Sequence, residues 1–399
     1  MGPKIINWGI LGPGGIAKTF TKDLLVDPKT RGVTHLQHSV AAVASSSNLA
    51  RAEEFLKDVG APASAKAYGS YQELVSDTAV EIVYVATPHS HHFEHVLLCL
   101  KAGKNVLCEK PITVNAEQAK ILVKSAREKN LFLMEGVWTR YLPISAYVRE
   151  IIASNRLGPI QRVLADTSIA TSPETSFADG THRLVNLDLA GGSLLDLGIY
   201  SLSWIFDVLY TGERPETRKA PEIQSFLKLY HTGSDESATV LLNFPRSAEQ
   251  GGDAHAIAFS GIRAGSDPDG KGGAGPALRV FGEKGEIQLF APLYRPTRSH
   301  LVLSDGTVED KKWPQPGPGI GSGWYNGFAG VTGAEGEGHG MFWEADEVGD
   351  ALVNDRKEGR LEGLDETVLI LEVMDTARKQ AGLVYPDRVE SVEYPVGPK

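Results

Sequence analysis

Three short stretches of this chain carry residue types able to do chemistry. Glu109-Lys110-Pro111 ends the apolar run Val106-Leu107-Cys108, which reads as a buried strand. Ligands of an open parallel sheet bind just beyond the carboxyl ends of its strands, so a lysine stepping off one reaches into the site. There an ammonium group can hydrogen-bond a substrate hydroxyl or lower the pKa of a neighbouring acid. The second stretch is Gly191-Gly192-Ser193-Leu194-Leu195-Asp196-Leu197-Gly198-Ile199-Tyr200. Its glycine pair precedes a helix on which Asp196 and Tyr200, four residues apart, share a face. The surrounding leucines bury that helix, and an acid within it is costly unless paired. On spacing alone, a functional pair and a locally satisfied Asp beside a wet-tipped Tyr are equally good readings.

The third stretch is Gly12-Pro13-Gly14-Gly15-Ile16-Ala17, directly after the apolar run Ile5 to Leu11. Gly12-x-Gly14-x-x-Ala17 matches the dinucleotide fingerprint, with Ala in the third place. Gly12 allows the tight turn, Gly14 and Gly15 let backbone approach a pyrophosphate, and from Ile16 a helix begins with its N-terminus facing the phosphates. The end of the second strand lacks the acid that usually binds the ribose hydroxyls of NAD. Ser45-Ser46-Ser47 stand there, with Arg51 one turn into the next helix. Hydroxyls and a cation suit a 2′-phosphate, so NADP is the expected cofactor, although the serines serve equally as helix caps. Thr87-Pro88-His89-Ser90-His91-His92 follows the third strand and is extended by His95. His89 and His92 lie where a cofactor cleft would be. His91 and His95 read as a solvated helix face, and no metal is expected because three or four convergent ligands are lacking.

The elements that must position these residues alternate. Apolar runs at 5–11, 40–44, 82–86, 106–110 and 131–134 are separated by segments of helical period, the pattern of a doubly wound α/β sheet. After about residue 140 the strands lengthen and alternate, at 160–169, 224–231, 237–244, 254–259, 278–282 and 285–290. Helices are expected at 193–209, 343–355 and 366–381. The division is therefore an α/β domain over 1–140 and an α+β domain over 141–399. Glycine- and proline-rich stretches at 264–276 and 314–340 read as loops.

Composition narrows the class. A length of 399 residues suits two domains, and 42% hydrophobic with 23% charged residues suits a globular core. A net charge of -10 disfavours nucleic acid or an anionic membrane as partner. No signal segment and no membrane-spanning stretch are expected. Cys99 and Cys108 sit in apolar runs and read as free buried thiols in a reducing, cytoplasmic compartment.

Taken together, the three constellations resemble the glucose–fructose oxidoreductase / inositol dehydrogenase family, and most closely its branch of dimeric dihydrodiol dehydrogenases and fungal NADP-dependent D-xylose dehydrogenases. Met134 to Tyr141 and His339 to Glu347 strengthen the likeness, which runs through nearly the whole chain. The resemblance implies a Rossmann domain followed by a large, mainly antiparallel open-faced sheet whose outer face makes a homodimer. It implies NADP-dependent oxidation of an aldopyranose, such as D-xylose, at C1 to the lactone. Lys110 would touch the hydroxyl that is oxidised and lower the pKa of Tyr200. Tyr200 would be the general base or acid, and Asp196 its partner or a substrate ligand. Trp138 and Arg140 would lie near nicotinamide or substrate, with Thr87, Pro88 and Glu109 lining the cofactor site. Trans-dihydrodiols or 1,5-anhydrofructose are alternative substrates, and a dinucleotide-sensing regulator is the alternative outside enzymes.

Overall fold

Continuous apolar runs become central strands because both of their faces must be covered. The computed structural model describes residues 2–46, 48–328 and 333–396. Its first sheet contains β1 (Lys4–Leu11), β2 (Leu36–Ala44), β3 (Lys66–Tyr68), β4 (Ile82–Val85), β5 (Asn105–Glu109) and β6 (Leu133–Gly136). They lie in the order β3-β2-β1-β4-β5-β6, all parallel. The order reverses between β1 and β4, which opens a crevice at their carboxyl ends. The crossovers are α1 (Gly15–Leu24), α2 (Leu49–Val59), α3 (Tyr71–Ser76), α4 (His92–Lys101) and α5 (Ala116–Glu128). Asn48 and Asn115 cap α2 and α5 through their side chains. Ser90 bonds the His91 ring at 2.9 Å.

After α6 (Pro143–Ala153), a second sheet is built from β7 (Ile160–Ser168), β8 (Glu222–Leu229), β9 (Asp235–Phe244), β10 (Ala254–Gly261), β11 (Leu278–Gly282), β12 (Gly285–Leu289), β13 (Arg298–Leu303) and β14 (Val308–Lys312). Its order is β14-β13-β12-β11-β7-β10-β9-β8. Only β7 and β10 pair in parallel. The charged edge strand β14 escapes the sequence reading because an edge strand needs little apolar patterning to pair, and the internal β13 beside it escapes as well. A one-turn α7 (Pro173–Ser176) precedes the buried helix α8 (Ile199–Phe206), which packs on β7 and β10. The turns on either side of α8, Leu194–Gly198 and Asp207–Thr211, are wound more loosely, with π-type bonding.

The stretch Leu187–Thr211 is long and apolar enough to cross a membrane, contrary to expectation, but 94% of its most apolar window is buried in the protein. It is the core helix between the second sheet and the first domain. The opposite face of that sheet carries exposed Phe226, Leu241, Ile257, Val302 and Val308. Two late helices return to the first sheet, and α10 also reaches the second. α9 (Phe342–Val353) packs on α1 and β2, and α10 (Leu364–Ala381) packs on α5, β6 and β8.

Candidate active site

The glycine turn can be tested for what it would hold. Gly12 has φ of 91°, and a Cβ there would lie 2.9 Å from Thr87 Cγ2 and 3.3 Å from the Ala86 carbonyl oxygen. A side chain is therefore excluded by both conformation and space. Gly14 is the N-cap of α1, with ordinary extended backbone and no side-chain cap. Among the described residues no heavy atom lies within 4 Å of the point where its Cβ would sit. The first turn of α1 carries no acid. The space beside Gly14 at a positive helix end suits a phosphate, although the Phe328 ring lies 3.2 Å from where a Cβ of Gly15 would sit, so the turn at Gly12 and Gly14 fits a dinucleotide. Ala17 is fully buried against the sheet, while Ile16 is half-buried and Gly15 exposed. At the end of β2, Ser45 is buried and Ser46 and Arg51 are exposed. Asn48 caps α2 through its side chain, which accepts the Ala50 N–H at 2.8 Å. Ser47 lies outside the described residues.

The loop after β4 joins this turn to the second constellation. Thr87 abuts Gly12, and two residues on, past Pro88, His89 Nε2 lies 3.6 Å from Asp196 Oδ1. Lys110, stepping off β5, donates to Asp196 Oδ1 at 2.9 Å and to the Asp196 backbone oxygen at 2.6 Å. Its Nζ also lies 4.9 Å from the centroid of the Tyr200 ring. Trp138 Nε1 donates to the Tyr200 phenol oxygen at 3.1 Å. Lys110, Asp196, Tyr200 and Trp138 are thus brought together from both domains. Burial raises the Tyr200 pKa well above its ordinary value, helped by the negative charges of Glu109 and Asp196. The Trp138 bond opposes that rise. The expectation that Lys110 holds the phenol pKa down is corrected here: the ammonium hydrogen-bonds Asp196 and meets Tyr200 only over its ring.

Other side chains hold these groups in place. His92 sits between the carbonyl oxygens of Thr87 and Pro111, at 2.7 Å from each, where its neutral ring donates to one of them. Burial pulls the pKa of His92 down to about 4 and that of His89 to about 3. Glu135 accepts the Ile112 N–H at 2.8 Å, just past Lys110-Pro111. Asp235 accepts from Ser193 Oγ at 2.7 Å and the Leu194 N–H at 2.6 Å, capping the turn that leads to Asp196. Glu109 turns to the Tyr84 phenol, from which it accepts a hydrogen bond.

Two placements differ from expectation. Arg140 does not reach the cleft. Its buried guanidinium pairs with Asp207, Glu362 and Glu366 and also bonds Ser203 and Thr211. A buried cation goes where carboxylates compensate it, and three of them converge here. His95 is half-buried, not solvated, bonded to Thr87 Oγ1 at 2.9 Å and edge-on to Tyr71. Sequence reasoning also missed contributors. Arg183 Nη1 donates to Asp196 Oδ1 at 2.8 Å from an irregular loop without periodicity. The His339 ring stacks on Trp138 with centroids 4.6 Å apart, and Tyr294 lies 5.8 Å from Tyr200.

Comparison with known proteins places this geometry. Residues 6–137 match a family model described as the oxidoreductase family with NAD-binding Rossmann fold, and residues 145–288 match the GFO/IDH/MocA C-terminal domain. The chain belongs to the GFO/IDH/MocA oxidoreductase family. Within it, the chain is 45% identical to the D-xylose 1-dehydrogenase (NADP(+)) of Hypocrea jecorina over 396 residues, 98% of this chain and 96% of that one. It is 35% identical to the trans-1,2-dihydrobenzene-1,2-diol dehydrogenase of Sus scrofa, over 96% of this chain and 98% of that one. Among solved structures, a 3-ketoreductase from Actinomadura kijaniata in complex with NADP and TDP-benzene matches with a TM-score of 0.69 at 21% identity, covering 95% of this chain and 98% of that one. The aldose-aldose oxidoreductase of Caulobacter crescentus matches with a TM-score of 0.70 at 20% identity and the same coverage. At that identity the two structures speak to the GFO/IDH/MocA fold alone.

Proposed function

We propose that the protein oxidises an aldopyranose, D-xylose first among them, at C1 to the lactone with NADP as hydride acceptor. The observation that carries this is the Lys110–Asp196–Tyr200 cluster, reached from the phosphate cradle through the loop Thr87–His92. The similarity to the fungal D-xylose 1-dehydrogenase supports the substrate. When bound, NADP supplies the carbon that accepts the hydride. Gly12 and Gly14 would hold its pyrophosphate, and Ser45, Ser46 and Arg51 its 2′-phosphate. Lys110 orients the sugar hydroxyl through an ammonium N–H. Tyr200 exchanges the hydroxyl proton at its phenol oxygen, which Trp138 holds in place. Asp196 fixes Lys110. For each sugar oxidised, one hydride leaves C1 and one proton leaves the hydroxyl.

Steady-state rates with NADP and NAD on a panel of aldoses, trans-dihydrodiols and 1,5-anhydrofructose test the reading. D-Xylose with NADP should give the highest kcat/KM. Faster turnover of a dihydrodiol would transfer the assignment to that chemistry, and tight NADP binding without turnover of any substrate would make the protein a sensor. A homodimer through the open face of the second sheet belongs to the same reading. Exposed Phe226, Leu241, Ile257, Val302 and Val308 support it. A cytosolic setting is supported by the free, buried thiols Cys99 and Cys108.

A further inference from the structure

One oxygen of Asp196 serves several nitrogen atoms. Lys110 Nζ at 2.9 Å, Arg183 Nη1 at 2.8 Å and His89 Nε2 at 3.6 Å all approach Oδ1. The Asp196 side chain is 7% exposed and that of Arg183 is 41% exposed, so the guanidinium reaches down from the surface onto a buried carboxylate. The arrangement is built, not incidental. The neighbours of Arg183 in sequence, Leu184 and Val185, belong to a small separate core with Phe177, Leu197, Tyr230 and Ile262. Leu197 directly follows Asp196, so that core locks the arginine loop to the turn bearing the carboxylate. Gly191 completes the fit, since a Cβ there would lie 2.7 Å from both the Arg183 carbonyl oxygen and the Asn186 nitrogen.

This matters because Lys110 has two tasks in the proposed reaction, on which the present inference rests. It pairs with Asp196 in the free enzyme and must turn an N–H to the sugar hydroxyl when substrate arrives. A lysine whose charge is shared with the substrate compensates a buried carboxylate less fully. A second cation already on the same oxygen, Arg183 at 2.8 Å, makes up that loss. We propose that Arg183 is a positioning residue for Asp196, holding the carboxylate in place while Lys110, still paired with it, gives its third N–H to the substrate. Arg183 is also the first of the charges that hold the Asp196 pKa well below the ordinary value against burial, ahead of Lys110. The other titratable groups coupled to this carboxylate are His182, Glu109 and Tyr200.

The test compares Arg183→Gln and Arg183→Lys with wild type in the NADP-bound enzyme. In Arg183→Gln, kcat/KM for D-xylose should fall at least about tenfold and its acid limb should move to higher pH, because Asp196 protonates more readily. NADP affinity should stay within about twofold, and Arg183→Lys should return the acid limb toward wild type. A second readout needs no turnover. A carboxylate with a depressed folded pKa adds stability that is present above its unfolded pKa, near ~3.9, and lost as pH falls through the folded value. The gap in Tm between wild type and Arg183→Gln should therefore be open at neutral pH and close on acidification. A gap of constant size, or an unmoved acid limb, would overturn the inference. If wild type oxidised no sugar, the proposed function would fail, yet the Tm profile would still decide the role of Arg183.

Discussion

Gly14→Ala separates cofactor binding from folding more cleanly than any other change in this protein. Gly14 has φ of -93° and ψ of -172°, a conformation open to alanine, and its Cβ would meet no described atom within 4 Å. The folded chain should therefore tolerate the methyl group, with stability unchanged or raised by about 0.4–1 kcal/mol through the unfolded state. The same methyl group projects into the space where the pyrophosphate would approach the helix end. If affinity falls 100-fold, a concentration of NADP that stabilises wild type by about 2.7 kcal/mol stabilises the variant by only about 0.4 kcal/mol. Gly12→Ala is the matched control. With φ of 91° and Thr87 Cγ2 at 2.9 Å, it should lose about 1–3 kcal/mol before any cofactor is added. Thermal unfolding with and without NADP, with Kd from isothermal titration, reads both effects. A Gly14→Ala variant that binds NADP as tightly as wild type would refute the cradle.

Four further outcomes follow from the geometry. Lys110→Met should lose about 10²–10⁴-fold in turnover while NADPH binding stays largely intact; a variant that still turns over at the wild-type rate would remove the lysine from the mechanism. Arg140→Met should cost about 3–5 kcal/mol, seen in denaturant unfolding, because Asp207, Glu362 and Glu366 lose their shared cation. Unchanged stability with a raised sugar KM would return Arg140 to the cleft. A phenol whose pKa is raised is a poor base at neutral pH, so kcat/KM for sugar oxidation should climb with pH into the alkaline range. Tyr200→Phe should lack that limb. Phe226→Glu, at a side chain 74% exposed on the open sheet, should abolish the proposed homodimer in sedimentation velocity; a monomeric wild type or a variant that stays dimeric would refute this face as the interface.

Much of this protein was legible before any tertiary structure. The parallel sheet follows from continuous apolar strands alternating with helical segments, because only strands buried on both faces dispense with alternation. The glycine turn was legible because its spacing encodes backbone geometry directly: Gly12 stands where φ is positive and Gly14 where a side chain would occupy phosphate space. The link between Lys110 and Tyr200, which lie far apart in the chain, came only through resemblance. Local patterning otherwise fell short. Val308–Lys312, with little apolar patterning, is not legible as a strand yet pairs at the sheet edge, and Leu187–Thr211 holds a window apolar enough to cross a membrane that is 94% buried in the protein.

Tertiary structure decided where the charges go. Arg140 was expected at the cleft, but its destination depends on carboxylates from Asp207, Glu362 and Glu366, far along the chain. Arg183 carried no signal at all, because a loop residue acquires a role only when a distant small core pins it over Asp196. The same holds for the proton chemistry. Residue types nominated Lys110, Asp196 and Tyr200, whereas burial and the choice of hydrogen-bond partners set Tyr200 high, Asp196 low and Lys110 on the carboxylate. Sequence by itself thus determined which groups could react and on what frame. Three-dimensional packing determined their pairing and protonation, because desolvation and Coulomb energy depend on neighbours in space, not in sequence.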